Sequence, residues 1–278
     1  MRIDYDTHLH TSYSTDSNTD LHDQVEAARK LGLKGICITD HTDYDFPLDQ
    51  CPGFSGVPFV FDIDEYKSDI QKERENQPNF EILTGVECGL QTDCDVVRKN
   101  RVLSEDPEFD QIIGSIHLID KKDPYYPAFW ENQNAFGLLQ RYFELTLENI
   151  HLFSAFDTLG HLDYAVRYAP RDFVYHPSDF FEITDEIMRF LIQNNKALEI
   201  NTSPLKKGYG SINPHPDFIK RYYELGGRQI TIGSDAHTTD AMAYEFDSVA
   251  DQLMQTGFTG YVIYRKHLPE FHHFNMIL

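Results

Sequence analysis

Basic charge is scarce in this chain: 24 Lys and Arg stand against 45 Asp and Glu, for a formal net charge of −21. Nucleic-acid affinity rests largely on Lys and Arg neutralising phosphates, so a polyanion is not an expected partner. The acidic excess reads as a solvated surface. Long apolar runs are missing too. No stretch approaches the ~20 residues that cross a bilayer, so no membrane partner is expected, and Met1 to Asp6 show no basic leader ahead of an apolar core. Cysteine is sparse: Cys37, Cys51, Cys88 and Cys94 lack both the CxxC spacing of zinc ribbons and the density of a disulfide-stapled domain. A reducing cytoplasm is the expected compartment. The chain also lacks a GxSxG elbow, a GxxxxGK(S/T) phosphate loop and a catalytic cysteine arrangement. Chemistry by a covalent or P-loop route is therefore excluded.

No Pro/Ser linker or low-complexity tract divides the chain, which predicts a single domain over 1–278. Apolar β-type runs alternate with helical patterns at Leu21 to Leu31, Ile63 to Asn76, Phe136 to Phe153, Phe180 to Gln193 and Phe218 to Leu225. Such alternation argues for an α/β fold of parallel βαβ units. The strand runs are Ile3 to Asp6, Ile36 to Thr39, Glu81 to Glu87, Gln111 to His117, Thr158 to His161, Ala197 to Asn201 and Gln229 to Gly233, seven in all. Tyr261 to Tyr264 is open between an eighth strand and an added flap. Long loops are expected over 42–58 and 118–134, where they would wall a substrate site.

What the chain does have is histidine in register. Six of its thirteen histidines fall at the downstream ends of short apolar runs, in motifs that also carry carboxylates. They are His8, His10, His41, His117, His161 and His237, accompanied by Asp16, Asp40, Glu87, Asp163 and Asp235. Neutral imidazole and ionised carboxylate are ligands for intermediate divalent cations, and a mixed set accepts zinc, iron or manganese. His8 and His10, two apart on an extended segment, project to the same side. The pattern predicts a site for two or three divalent cations at the C-terminal ends of the strands, with one carboxylate shared between metals. Cys88 follows a candidate ligand, but the next residue of a strand faces the other way, so it reads as a buried structural thiol.

The motifs DTHLH at 6–10, TDH at 39–41, GVE at 85–87, SIH at 115–117, GHLD at 160–163 and GSDAH at 233–237 resemble, in order, those of the polymerase and histidinol phosphatase (PHP) superfamily. The resemblance covers essentially the whole chain. TDHTDYDFP at 39–47, DPYYP at 123–127, GHLDYAVRYAP at 160–170 and EINTS at 199–203 are similar to its histidinol-phosphate phosphatase branch. The resemblance implies a distorted seven-stranded (β/α) barrel holding a trinuclear centre. Carried over by motif, His8, His10, Glu87 and Asp235 hold the first metal, and Glu87 bridges to a second held by His117 and His161. His41 and His237 hold the third, with Asp16 where some relatives present histidine. Asp6, Asp40 and Asp163 are expected to accept the other N–H of neighbouring imidazoles. Glu199 and Asn201 are expected behind the ligands or against the substrate.

Phosphate-monoester hydrolysis needs an in-line nucleophile and positive charge around the non-bridging oxygens. A divalent cation lowers the pKa of bound water from ~15.7 toward ~7, so a metal-activated hydroxide suffices without a protein nucleophile. Protonation of the leaving group falls to water at the centre or to Asp16, Asp235 or His237. Arg presents a fork that matches phosphate, and Arg167, beyond the GHLD motif, is the first choice for a clamp. Arg171, Lys206 and Lys207 are alternatives, with Ser203 and Tyr126 behind them. The cationic nitrogen of the branch's substrate calls for an acidic wall, which Asp43 and Glu199 could supply. The expected function is hydrolysis of L-histidinol phosphate to L-histidinol and phosphate in histidine biosynthesis. The alternatives are another small phosphate ester or a phosphotyrosine as substrate, and a non-catalytic barrel whose metals serve an interaction module.

Overall fold

Short apolar runs separated by amphipathic stretches leave the backbone few ways to satisfy itself other than parallel βαβ units. The computed structural model, which describes residues 2–50 and 57–275, is built from them. In chain order the elements are β1 (Tyr5–Leu9), α1 (Leu21–Leu31), β2 (Gly35–Ile38), β3 (His41–Thr42), α2 (Ile63–Asn76), β4 (Glu81–Gly89), α3 (Cys94–Ser104) and β5 (Gln111–Ser115). They continue with α4 (Pro127–Trp130), α5 (Ala135–Leu152), β6 (Thr158–Leu159), α6 (Phe181–Gln193), β7 (Ala197–Asn201), α7 (Ser203–Lys206), α8 (Pro216–Glu224), β8 (Ile230–Gly233), α9 (Phe246–Thr256), β9 (Gly260–Arg265) and β10 (Leu268–His273). The sheet runs β1-β2-β4-β5-β6-β7-β8, all parallel, with the two-residue β3 beside the downstream half of β4. Each of the seven expected runs forms one of these strands, and the result is a nearly closed (β/α) barrel. Tyr261 to Tyr264 is part of a separate antiparallel hairpin, β9 with β10. Cys51 and the centre of the loop expected over 42–58 lie outside the described residues.

Helices form where an apolar stripe meets a capped end. In α1, Val25 and Ala28 are buried, the Asp20 carboxylate accepts the His22 N–H, and Gly32 ends the helix in the left-handed region at φ 74°. Sequence periodicity did not mark α3 or α9. The buried face of α3 is Val96, Asn100 and Leu103, so its stripe is broken by an amide that donates to the Gly89 carbonyl at 3.1 Å. α9 starts behind Glu245, itself left-handed at φ 58°, with no side-chain cap to announce it. The segment 118–134 is less open than expected: Ile119 and Lys122 bridge, and α4 buries Trp130.

The barrel closes where β1 meets β8, and it does so at the ligand end. The Asp235 N–H donates to the His8 carbonyl at 2.7 Å, and the His10 N–H donates to the Ala236 carbonyl at 2.9 Å. The register of β1 against β2 shifts between Asp6 and Leu9, which places His8 at the irregularity. Gly233 permits the close approach: a Cβ there would strike the His8 Cβ and lie 2.9 Å from Glu199 Oε1. Asp6, fully buried, ties the seam together by accepting the Ser234 hydroxyl at 2.5 Å, the Ser234 N–H at 2.9 Å and the Ala243 N–H at 3.0 Å. Removing that acceptor strands buried donors, each worth about 1–3 kcal/mol. Asp6→Ala is therefore expected to lower the unfolding free energy of the metal-free protein by about 2–4 kcal/mol. A urea titration checks this, and an unchanged midpoint would remove Asp6 from the seam.

Candidate metal centre

Glu87, two residues from the end of β4, has no solvent exposure and stands at the centre of the histidines. Its Oε2 lies 3.2 Å from His8 Nε2, 3.6 Å from His10 Nε2 and 3.0 Å from His41 Nδ1. Its Oε1 lies 3.2 Å from His117 Nε2 and 2.9 Å from His161 Nε2. The two oxygens thus face two different groups of imidazoles. Asp235 closes the first group, with Oδ1 at 3.3 Å from His10 Nε2 and 3.9 Å from His8 Nε2. It is held in the left-handed region at φ 53°, uncommon for a residue with a side chain and found where a site over-determines the backbone. A third group forms around His237, whose Nε2 is 3.2 Å from Asp16 Oδ2, while His41 Nε2 is 3.7 Å from the same oxygen. All six histidines named in the sequence therefore converge. Among the described residues, three trios have potential ligand atoms within 4.8 Å of one another: His8, His10 and Glu87; His41, Glu87 and His117; and His10, His41 and His237. The structure thus brings His41 toward the second group and His10 toward the third, assignments that motif order does not carry.

Four of the six histidines have an oriented far ring nitrogen, but not through the carboxylates expected. His8 Nδ1–H donates to Glu199 Oε1 at 2.5 Å, and His117 Nδ1–H donates to Asp43 at 3.0 Å. His10 Nδ1–H reaches the Ser14 hydroxyl at 3.0 Å, which in turn donates to Asp40 at 2.6 Å. His237 Nδ1–H donates to the Asp235 carbonyl at 3.0 Å. In each case Nε2 is left to face the cluster. Among the described residues Asp6, Asp40 and Asp163 accept no imidazole N–H directly; they take backbone, hydroxyl and amide donors and brace the loops instead. Of the expected acidic wall, Glu199 is fully buried beneath His8, while Asp43 lines the cavity and pairs there with His117.

The electrostatics demand positive charge in the middle. Burial opposes ionisation of Glu87 and Asp235, yet the surrounding imidazoles hold both carboxyls well below their usual range. The same exchange, against the cost of burial, raises His8 through Glu199 and Glu87, and His117 through Asp43 and Glu87. Imidazoles can supply that charge only by binding protons, whereas divalent cations supply it to neutral imidazoles. Glu87 Oε2 and His41 Nδ1 are buried with no hydrogen-bond partner although 3.0 Å apart, which suits convergence on an ion better than on each other. The donor set fits divalent metals.

Above the cluster opens a cavity of about 600 Å³, into which Arg167, Ser203, Lys206 and Lys207 project. Arg167 is buried, stacked 4.6 Å from the Tyr164 ring, and donates from Nη2 to Asn213 Oδ1 at 2.6 Å, with Nε unpartnered. Asn213 is itself fixed by Asp163, whose Oδ1 accepts its amide at 2.6 Å. The Ser203 hydroxyl is buried without a partner. Lys206 pairs with Asp240 at 2.8 Å, which ties its ammonium to the rim. Arg171 is not among the lining residues, and Tyr126 is. Sequence reasoning missed Asn213 and the orienting role of Asp43; no local pattern marks an amide that acts from 46 positions away.

A model of the PHP domain matches residues 6–203. A probable histidinol-phosphatase of Clostridium acetobutylicum is 35% identical over 243 residues, 87% of this chain and 89% of its own length. The histidinol-phosphatase of Lactococcus lactis is 31% identical, with 85% of this chain and 84% of the relative covered. Among solved structures, histidinol phosphate phosphatase from Lactococcus lactis, complexed with zinc, L-histidinol and phosphate, superposes with a TM-score of 0.83 at 27% identity, covering 96% of this chain and 98% of that one. A putative histidinol phosphatase from Listeria monocytogenes shares the fold, with a TM-score of 0.72 at 17% identity over 88% of this chain and 99% of that one.

Carboxylates that orient metal-binding imidazoles typically carry about 10–100-fold in metal affinity. Glu199→Gln is accordingly expected to weaken zinc binding by about that factor, read by chelator competition. Unchanged affinity would show that the short His8–Glu199 contact plays no part in holding metal.

Proposed function

The chain belongs to the PHP domain family, and we propose that it is a metal-dependent phosphomonoesterase that hydrolyses L-histidinol phosphate to L-histidinol and inorganic phosphate. The observation that carries this reading is the union, in one cavity, of a buried histidine–carboxylate cluster with the Arg167 guanidinium. It gains weight from 35% and 31% identity to the Clostridium and Lactococcus phosphatases. His8, His10, Glu87 and Asp235 would hold one cation, Glu87, His117 and His161 a second, and Asp16, His41 and His237 a third. Zinc, the metal in the Lactococcus structure, is the first candidate; iron and manganese suit the same donors.

Cations bound there would supply positive charge to the phosphoryl oxygens and lower the pKa of water from ~15.7 toward ~7. The rest falls to the chain. Arg167, fixed by Asn213 and by the Tyr164 ring, presents its remaining N–H groups to the phosphate without reorganising. Ser203 adds a hydroxyl from the mouth of α7. Neighbouring imidazoles hold Asp16 and Asp235 ionised despite desolvation, so neither has a proton to give. With His237 Nε2 turned to the third cation, protonation of the departing alkoxide is left to solvent. A chain lacking covalent signatures needs no more than this.

A panel of phosphomonoesters assayed with the zinc- or manganese-loaded protein is expected to show L-histidinol phosphate as the best substrate by kcat/KM. Faster turnover of phosphotyrosine or another ester would shift the substrate, and no turnover of any ester would favour a structural metal centre. Within that assay Arg167→Ala should lower kcat/KM roughly 100-fold. Arg167→Lys should not restore it, because an ammonium neither forks nor stacks as a guanidinium does. Asn213→Ala should reproduce part of the loss and weaken inhibition by inorganic phosphate.

A further inference from the structure

Almost every carboxylate lining the cavity has an imidazole against it. The closest approaches are 2.9 Å for Glu87 to His161, 3.0 Å for Asp43 to His117, 3.2 Å for Asp16 to His237 and 3.3 Å for Asp235 to His10. Asp123 is the exception. It accepts one hydrogen bond, from the Tyr125 N–H at 2.8 Å, and among the described residues it forms no ion pair. It is half-buried in the same cavity, and burial pushes its carboxyl up to about 6, with His117 relieving and Asp43 adding to that effect. A carboxylate in this setting lacks a cation.

The cavity is polar in a directed sense. Arg167 lies against the ring of Tyr164, and Asp123 lines the same cavity, adding to burial and Tyr168 in raising that phenol. A cation-seeking group and an anion-seeking group thus share one cavity with that ring. Resting on the phosphatase reading above, we propose that Asp123 is a specificity residue that pairs with the cationic nitrogen of the leaving alcohol, while Arg167 takes the phosphate. The substrate class this selects is the phosphate ester of an amino alcohol, dianionic at one end and cationic at the other. Tyr126 and Tyr164 line the same cavity and offer such a cation aromatic faces. Arg167 and Lys207 line the same cavity and attract phosphate whatever the alcohol, so the choice among alcohols falls to Asp123.

Asp123→Asn tests this directly, because the amide oxygen still accepts the Tyr125 N–H and only the charge is lost. With metal content matched to wild type, kcat/KM for L-histidinol phosphate should fall roughly 10- to 100-fold, the range of a lost charged hydrogen bond. kcat/KM for 2-phenylethyl phosphate and the inhibition constant of inorganic phosphate should stay within about threefold. Equal losses on both esters, or no loss on either, would overturn the assignment. Calorimetric titration of L-histidinol into phosphate-saturated protein supplies a readout free of turnover, and the variant should bind it at least roughly tenfold more weakly. If the wild type prefers neutral esters yet the variant loses L-histidinol, the phosphatase reading fails and the subsite stands. If L-histidinol phosphate is the best substrate and Asp123→Asn is indifferent to it, the subsite fails and the reading stands.

Discussion

A carboxylate cut off from water is tolerable only where positive charge surrounds it, and Glu87 is such a group. It has no exposure, and five imidazoles approach its two oxygens within 3.6 Å. Everything at the C-terminal end of the barrel follows from satisfying that requirement. The histidines must arrive from five different strand ends and their following turns, so the strands must be parallel and end at one level. A sheet in β1-β2-β4-β5-β6-β7-β8 order supplies that geometry, with β3 added beside β4 to bring His41 opposite Glu87. The seam between β1 and β8 then closes through the backbone of His8, His10, Asp235 and Ala236, so closure of the fold and assembly of the centre are one event.

The orienting groups extend the same logic outward. A metal ligand with a free far nitrogen can rotate or change tautomer, and Glu199, Asp43, Ser14 and the Asp235 carbonyl remove that freedom for His8, His117, His10 and His237. Asp163 acts at one further remove, through Asn213, on Arg167. The cost is a buried polar network that leaves little slack in the fold. Gly233 shows how little: even a methyl group there would collide with His8.

Much of this was legible in the chain because strand ends are local. Histidines placed just after apolar runs, at His41, His117, His161 and His237, report both the period of the strand and the face of the barrel. The side chains that converge in the cluster were therefore readable before any contact was known. What escaped was non-local or masked. Asn213 lies 46 positions from the guanidinium it positions. The imidazole partners were misassigned to Asp6, Asp40 and Asp163, the nearest acids in sequence, whose carboxylates instead accept backbone, hydroxyl and amide donors. Asp43 and Glu199 accept the imidazole N–H groups of His117 and His8 from neighbouring strand ends. The helix α3 was hidden because an asparagine interrupts its apolar stripe, and the hairpin of β9 and β10 was ambiguous because a short buried run fits either a barrel strand or a flap.

The claim on which the rest depends is that Glu87 is shared between metals, one carboxylate oxygen to each group of imidazoles. Anomalous diffraction from crystals of the zinc-loaded protein, collected on both sides of the zinc edge, measures this directly. Peaks on both sides of the Glu87 carboxylate are expected, one near His8 and His10 and one near His117 and His161. A single peak that leaves one oxygen of Glu87 uncoordinated, or zinc bound away from Glu87, would contradict it.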